Sequence, residues 1–258
     1  MGSTAGGLAV ITEILNDLRA ESQELDDLVS PLFDWTIPTP AEGWTIANQI
    51  SHLRWTDRMA TLAIRDPAAF AEALKQATPD MVDEGARERV RLSDWRAGRA
   101  ELAQALQEVP PGVKVPWFGP PMSPASMATA RLMETWAHGQ DVADALEVTR
   151  EPTHRLKHVA HIAVRAFGYA FLVNGLAVPE VPVRVELTGP QGELWTWGPE
   201  DAEDRITGPA LDFCLLATQR RHRNDLTVTA VGDTANAWLP IAQAFAGPPG
   251  AGRGKGQR

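Results

Sequence analysis

The sequence predicts an α+β fold: an up-and-down four-helix bundle, followed by a small mixed α/β domain. Three observations carry this expectation. Apolar residues recur at three- and four-residue intervals through most of the first half. After about residue 180 the pattern changes to alternation with period two. At 258 residues with 44% hydrophobic content, the chain can bury a large core and exceeds the usual size of one domain.

The first helix is written in Leu8, Ile11, Leu15, Leu18, Leu25 and Val29, and it stops at Pro31. Pro38, Pro40 and Gly43 make a loop, after which Thr45 can cap a helix over Ile46–Ile64. One edge of that helix reads Ile46, Ile50, Leu53 and Ala60, and His52 lies on another. Asp66-Pro67 breaks it, and a shorter helix runs to about Ala77. Ser93 can cap the next, Asp94–Val109, which Pro110-Pro111-Gly112 ends. The stretch Val115 to Pro124 is a proline-stiffened loop carrying Trp117 and Phe118, either packing or the wall of a pocket. It leads into Ser126–Leu146, apolar around most of its circumference and therefore expected to be buried.

The second half begins with one more helix, His154–Leu176. Val181–Thr188 and Glu193–Trp197 alternate with period two around Gly189-Pro-Gln-Gly192, which predicts a hairpin. Pro209–Thr218 reads as helix, Asp225–Val231 as a third strand, and Thr234–Ala246 as a closing helix. The domains expected are residues 5–150, a helical bundle; residues 151–246, a mixed α/β unit; and residues 247–258, a tail with no apolar anchor that should be disordered.

A net charge of −9 argues against nucleic acid or an anionic membrane as the main partner. The single cysteine, Cys214, leaves no internal disulfide framework and fits a reducing compartment. No run of eighteen apolar residues occurs, and the first residues lack the basic region of a signal peptide, so a cytoplasmic location is expected. The expected partner is a small-molecule substrate, and the protein is expected as a monomer or homodimer.

The chemistry concentrates in three side chains. Glu134 and His138 are four apart, so on a helix they share one face, and His52 comes from another helix. Two imidazoles and a carboxylate form the ligand set of an open, catalytic-type divalent metal site. A Glu-x-x-x-His pair alone is commonly a surface pair. Here it sits on a helix expected to be buried, where charge persists only when paired or bound to metal. Asp141, one turn beyond His138, can accept from an imidazole N–H, or serve as ligand or base. A rival stripe of His154, His158 and His161 has no carboxylate and stands among Arg155, Lys157 and Arg165, so a polar face is the better expectation. The basic run Arg220, Arg221, His222 and Arg223 either holds an anionic substrate group or is a solvated helix end.

Gly43-Trp-Thr45 with the following Ile-Ser-His52-Leu, and Glu134-Thr-Trp-Ala-His138-Gly-Gln-Asp141, resemble the mycothiol-dependent maleylpyruvate isomerase superfamily of actinobacteria. The resemblance implies a DinB-like bundle binding a divalent metal through His52, Glu134 and His138, with zinc first and iron or nickel as alternatives. It also implies a small sterol-carrier-like C-terminal domain, where Arg220-Arg221 before Asp225-Leu226 matches an Arg-Arg…Asp-Leu pattern. One arginine of that domain faces the family's site, which points to Arg221. Mycothiol is then the expected co-substrate. Asp141 is expected to move protons, and Arg220 and Trp117 to help hold the thiol or the substrate, in a site between the two halves. Two alternatives stay open: a thiol-independent metal hydrolase, lyase or cyclase of secondary metabolism, and a non-catalytic metalloprotein that binds a hydrophobic ligand.

Overall fold

The computed structural model describes residues 2–78 and 81–257. The Leu8 side chain, named in the first periodic run, lies outside the described residues. Among them, ten α-helices and one four-stranded sheet make a mixed α+β fold in two compact units, Met1–Thr149 and Arg150–Arg258. No helix among the described residues is long and apolar enough to cross a membrane.

The first unit is helical: α1 (Gly2–Val29), α2 (Ile46–Arg65), α3 (Pro67–Lys75), α4 (Met81–Arg87), α5 (Leu92–Glu108) and α6 (Pro124–Ala145). The four long helices are α1, α2, α5 and α6. α1 packs on α5 and α6, and α2 on the same two helices. One core draws on all four, with Leu25 and Val29, Ile46, Ile50 and Leu53, Trp95, and Val142. Caps fix the ends. The Asn48 carboxamide oxygen takes Thr45 N–H at 2.8 Å, starting α2. Asp66 accepts from Ala69 N at 2.9 Å and starts α3 with Pro67 in its first turn. α5 begins at Leu92, two residues before the expected start, and Ser93 is not its cap. The Asp94 carboxylate reaches back to Arg91 N at 3.3 Å instead, which sets the entry two residues earlier. Ser123 caps α6 by accepting from Ser126 N at 3.1 Å.

Two buried aspartates hold ion pairs across the bundle. Asp26 accepts from Arg96 at 2.8 Å and from Arg99 at 2.9 Å, and Asp57 from Arg131 at 3.0 Å. α4 has no counterpart in the periodicity. Its Gly85 lies flat on Trp55, where a Cβ would come within 2.5 Å of the indole. The loop before α6 is closed by a bridge between Val115 and Met122.

In the second unit the single helix expected over His154–Leu176 is two, α7 (Leu156–Arg165) and α8 (Phe167–Val173). Ala166 leaves helical ψ, and its N–H is shared between Ile162 O and Ala163 O, which tightens the turn and breaks the run. Strands β1 (Val183–Thr188) and β2 (Leu194–Trp197) form the expected antiparallel hairpin. The sheet's second inner strand, β3 (Asp204–Pro209), lies parallel to β1 and antiparallel to the short β4 (Thr229–Val231), in the order β2-β1-β3-β4. The third strand expected over Asp225–Val231 is thus cut to its last three residues: Asp225 ends a 3-10 segment, and the Thr227 N–H is taken by the Asp212 carboxylate at 2.8 Å. α9 (Ala210–Ala217) lies against β1, β3 and α7. The closing helix α10 (Asp233–Trp238) stops before Pro240, shorter than expected, since proline cannot continue the hydrogen-bond ladder. Its Trp238 packs edge-on to Phe167 and Phe213 in the unit's core. The glycine-rich segment after Ala246 is tied at Gly247 to Tyr169 Oη and at Gly256 N to Asp225.

Candidate metal centre

The capped start of α2 puts Ile46, Ile50 and Leu53 fully into the core and turns His52 toward α6. On α6, Glu134 and His138 are successive-turn neighbours. Among the described residues, His52, Glu134 and His138 are the one group whose ligand-capable atoms all converge, within 4.8 Å of one another. Oε2 of Glu134 lies 3.2 Å from His138 Nε2 and 3.6 Å from His52 Nε2, and the two imidazole centroids are 4.5 Å apart. Both histidines are buried, while the Glu134 side chain keeps 21% of its surface, so the group opens on the carboxylate side.

Burial pushes the Glu134 carboxyl up, but hydrogen bonds and charge from His138 and His52 outweigh it and hold the group well below the usual carboxylate range. The arrangement suits a divalent cation. Two imidazole nitrogens point at one ionised carboxylate oxygen, and His52 Nδ1 is buried without a hydrogen-bond partner, so the far side of that ring is fixed by packing alone. His138 differs: its Nδ1 is hydrogen-bonded to Gln49 Oε1.

Aromatic rings line one side. Trp44 stacks on His138 at 5.8 Å and 15°, and tilts over His52 at 5.3 Å. Trp55 lies 6.5 Å from His52, and Phe118 stacks on Trp55 at 6.0 Å. Trp117, expected beside the site, stacks on Phe70 at 6.0 Å and 3° and meets Phe118 edge-on, so Phe118 is the ring of that loop that carries the series toward His52.

Asp141 is fully buried one turn beyond His138 and is not among the three converging side chains. Arg220 and Arg221 belong to the second unit, where Arg220 Nη1 donates to Thr218 O at 2.7 Å and Arg221 Nη1 to Arg220 O at 2.6 Å. His154, His158 and His161 do not gather metal-ligating atoms. His161 accepts from Trp197 Nε1 at 3.2 Å, and burial, then Arg165 and His158, lower its pKa. Cys214 is fully buried, and burial pushes its thiol pKa up, as expected of an inert core residue. Sequence reasoning gave no role to Gln49, Trp44 or Trp55. The available signal was position: Gln49 and Trp55 flank His52 at three residues on either side, on adjoining turns of one helix.

Residues 18–143 match the family model of the mycothiol maleylpyruvate isomerase N-terminal domain. Residues 179–230, which hold the first three strands and α9, match a model described as wyosine base formation. Two proteins of Mycobacterium tuberculosis, from strains CDC 1551 / Oshkosh and ATCC 25618 / H37Rv and both uncharacterized, are 57% identical over 248 residues, or 92% of this chain and 96% of each relative. Among solved structures, the mycothiol-dependent maleylpyruvate isomerase matches with a TM-score of 0.55 at 17% identity, and a histidine-to-alanine mutant of it with 0.57 at 16%. Each alignment covers 85% of this chain and 92% of the other. At that identity the likeness is one of fold.

Proposed function

This chain belongs to the mycothiol-dependent maleylpyruvate isomerase superfamily, and on that premise we propose that it is a divalent-metal-dependent enzyme. In this reading it uses mycothiol, or a similar small thiol, for transfer or isomerisation of an electrophilic small molecule. The observation that carries the reading is the approach of two imidazole Nε2 atoms to one carboxylate oxygen. Three protein ligands leave positions for a reactant, whereas a structural zinc site is normally closed by four. Nitrogen and carboxylate donors suit zinc first, and iron or nickel by the same chemistry.

Held by His52, Glu134 and His138, a divalent cation would retain a net charge of about +1 and would supply the electrostatic stabilisation that favours the thiolate form of a small thiol near neutral pH. The chain's own residues do the rest. Trp44 and Trp55 flank His52 and keep water from that side, and Phe118 extends the apolar surface. Asp141 is assigned to proton movement, and Arg221 with Arg220 to an anionic group of the substrate through paired N–H donors. Cys214, buried and with a raised pKa, is not the nucleophile, so the thiol comes from outside the chain.

The test is turnover of electrophilic substrates by the full chain, with and without mycothiol and with and without chelator. Product that requires both thiol and metal is expected. Arg221→Ala should lower kcat/KM roughly ten- to a hundred-fold with metal content unchanged. Thiol-independent turnover would move the assignment to a hydrolase, lyase or cyclase.

A further inference from the structure

We propose that Gln49 and Thr39 are positioning residues that lock the tautomer of His138, through a hydrogen-bond chain whose direction is set at the Trp44 carbonyl. That carbonyl can only accept. It takes Thr39 N–H at 2.8 Å and the Thr39 hydroxyl at 3.0 Å. With its one proton committed there, the hydroxyl can only accept from Gln49, whose Nε2 lies 2.9 Å away. The amide is thereby oriented, with its NH2 on Thr39 and its Oε1 on His138. Because Oε1 accepts, the proton of the His138 ring sits on Nδ1. The lone pair of the neutral ring is then on Nε2, aimed at Oε2 of Glu134.

A lone pair facing a carboxylate calls for positive charge between them, either the exchangeable proton that makes the ring an imidazolium hydrogen-bonded to Glu134 or a metal ion that takes its place, so the chain prepares His138 as a ligand. Running the chain in the opposite direction requires the Thr39 hydroxyl to abandon the Trp44 carbonyl. It also puts a proton on Nε2, where it occupies the position a metal needs. Gln49 is fully buried and Thr39 is 9% exposed, so water competes little for either partner. Local structure holds the parts in register. Pro38 and Thr45 form an isolated bridge that closes the loop carrying Thr39 and Trp44, and the capped first turn of α2 carries Gln49. His52 has no such device, since its Nδ1 is buried without a partner. The two histidines are therefore unequal: one is set by a polar chain and the other by packing.

The functional meaning of the lock rests on the metal reading above, but the tautomer itself is measurable without metal. Two measurements on the full-length protein test it. One is zinc affinity by competition with a chromophoric chelator, and the other is the long-range 15N–1H NMR pattern of the imidazoles in metal-free protein. Wild type should show His138 with its proton on Nδ1. Gln49→Leu should weaken zinc binding roughly 10- to 100-fold, the usual scale for losing the outer partner of a ligating histidine, and should release the tautomer. Gln49→Glu keeps an acceptor of nearly the same shape and should restore most of the affinity, which a purely structural role does not predict. Thr39→Val should weaken binding by a smaller factor. Zinc affinity unchanged in Gln49→Leu, or an Nε2–H tautomer in wild type, would overturn the inference. A wild type with the Nδ1–H tautomer and no zinc affinity would retire the metal reading and leave the lock standing.

Discussion

Nε2 of His138 stands 3.2 Å from Oε2 of Glu134, one turn earlier on the same helix, and His52 delivers a second Nε2 at 3.6 Å from the same oxygen. The carboxylate is thus the shared member of the group, and it stays ionised through the neutral range because both imidazoles lower its pKa against the effect of burial. Glu134→Gln keeps the shape and removes the charge. We expect it to weaken zinc binding by more than the roughly 10- to 100-fold typical of losing an outer partner, with little change in helix content. Chelator competition and circular dichroism measure the two quantities, and an unaltered affinity counts against Glu134 as a ligand.

Arg131 and Asp57 make a second, independent prediction. Both are buried, with Arg131 Nε donating to Asp57 at 3.0 Å and Nη2 to Thr56 Oγ1 at 2.6 Å. Burial raises the Asp57 pKa, and the charge and hydrogen bond of Arg131 oppose this without cancelling it. A carboxyl with a raised folded pKa holds extra protons in the folded state, so its ionisation costs stability as pH rises past the unfolded value, about 3.9. Arg131→Met leaves that carboxylate unpaired. It should lose about 3–5 kcal/mol at pH 7 and regain part of this as the pH is lowered, in urea denaturation followed by helix signal. A loss that does not shrink at acid pH would mean that Asp57 is not the group responsible.

Two glycines of the helical unit should respond with opposite signs. A Cβ at Gly85 would meet the Trp55 ring at 2.5 Å, whereas one at Gly98, in the middle of α5, would meet nothing within 4 Å. Gly85→Ala is therefore expected to destabilise by about 1–3 kcal/mol, as overpacking does. Gly98→Ala should stabilise by about 0.5–1 kcal/mol through helix propensity. Denaturation midpoints decide between this and a uniform response, which would show that Trp55 yields freely.

What the sequence makes legible is what repeats within one element. Glu134 and His138 fall together because four residues make a turn, and the apolar circumference of α6 marks them as buried. The role of Gln49 is not legible, because a glutamine is equally at home on a surface and its partner lies 89 residues away. Trp117 invites a functional reading by its place in a proline-rich loop, yet Phe70 offers it a flat stacking partner that no spacing reveals. β3 escapes notice for a related reason. Asp204-Arg-Ile-Thr-Gly-Pro209 has no alternation and ends in turn residues, and it becomes a strand through pairing with β1 and β4 on either side. Asp204 Oδ2 also accepts from Ala235 N at 3.0 Å at the start of α10, a contact set by the fold rather than by local pattern.

The central claim is that His52, Glu134 and His138 hold one divalent metal. Elemental analysis of protein purified without chelator tests it most directly, with wild type, His52→Ala and His138→Ala prepared side by side. The account predicts one divalent metal per wild-type chain and its loss from both variants. Full metal content in both variants, or loss instead on His158→Ala, would contradict it.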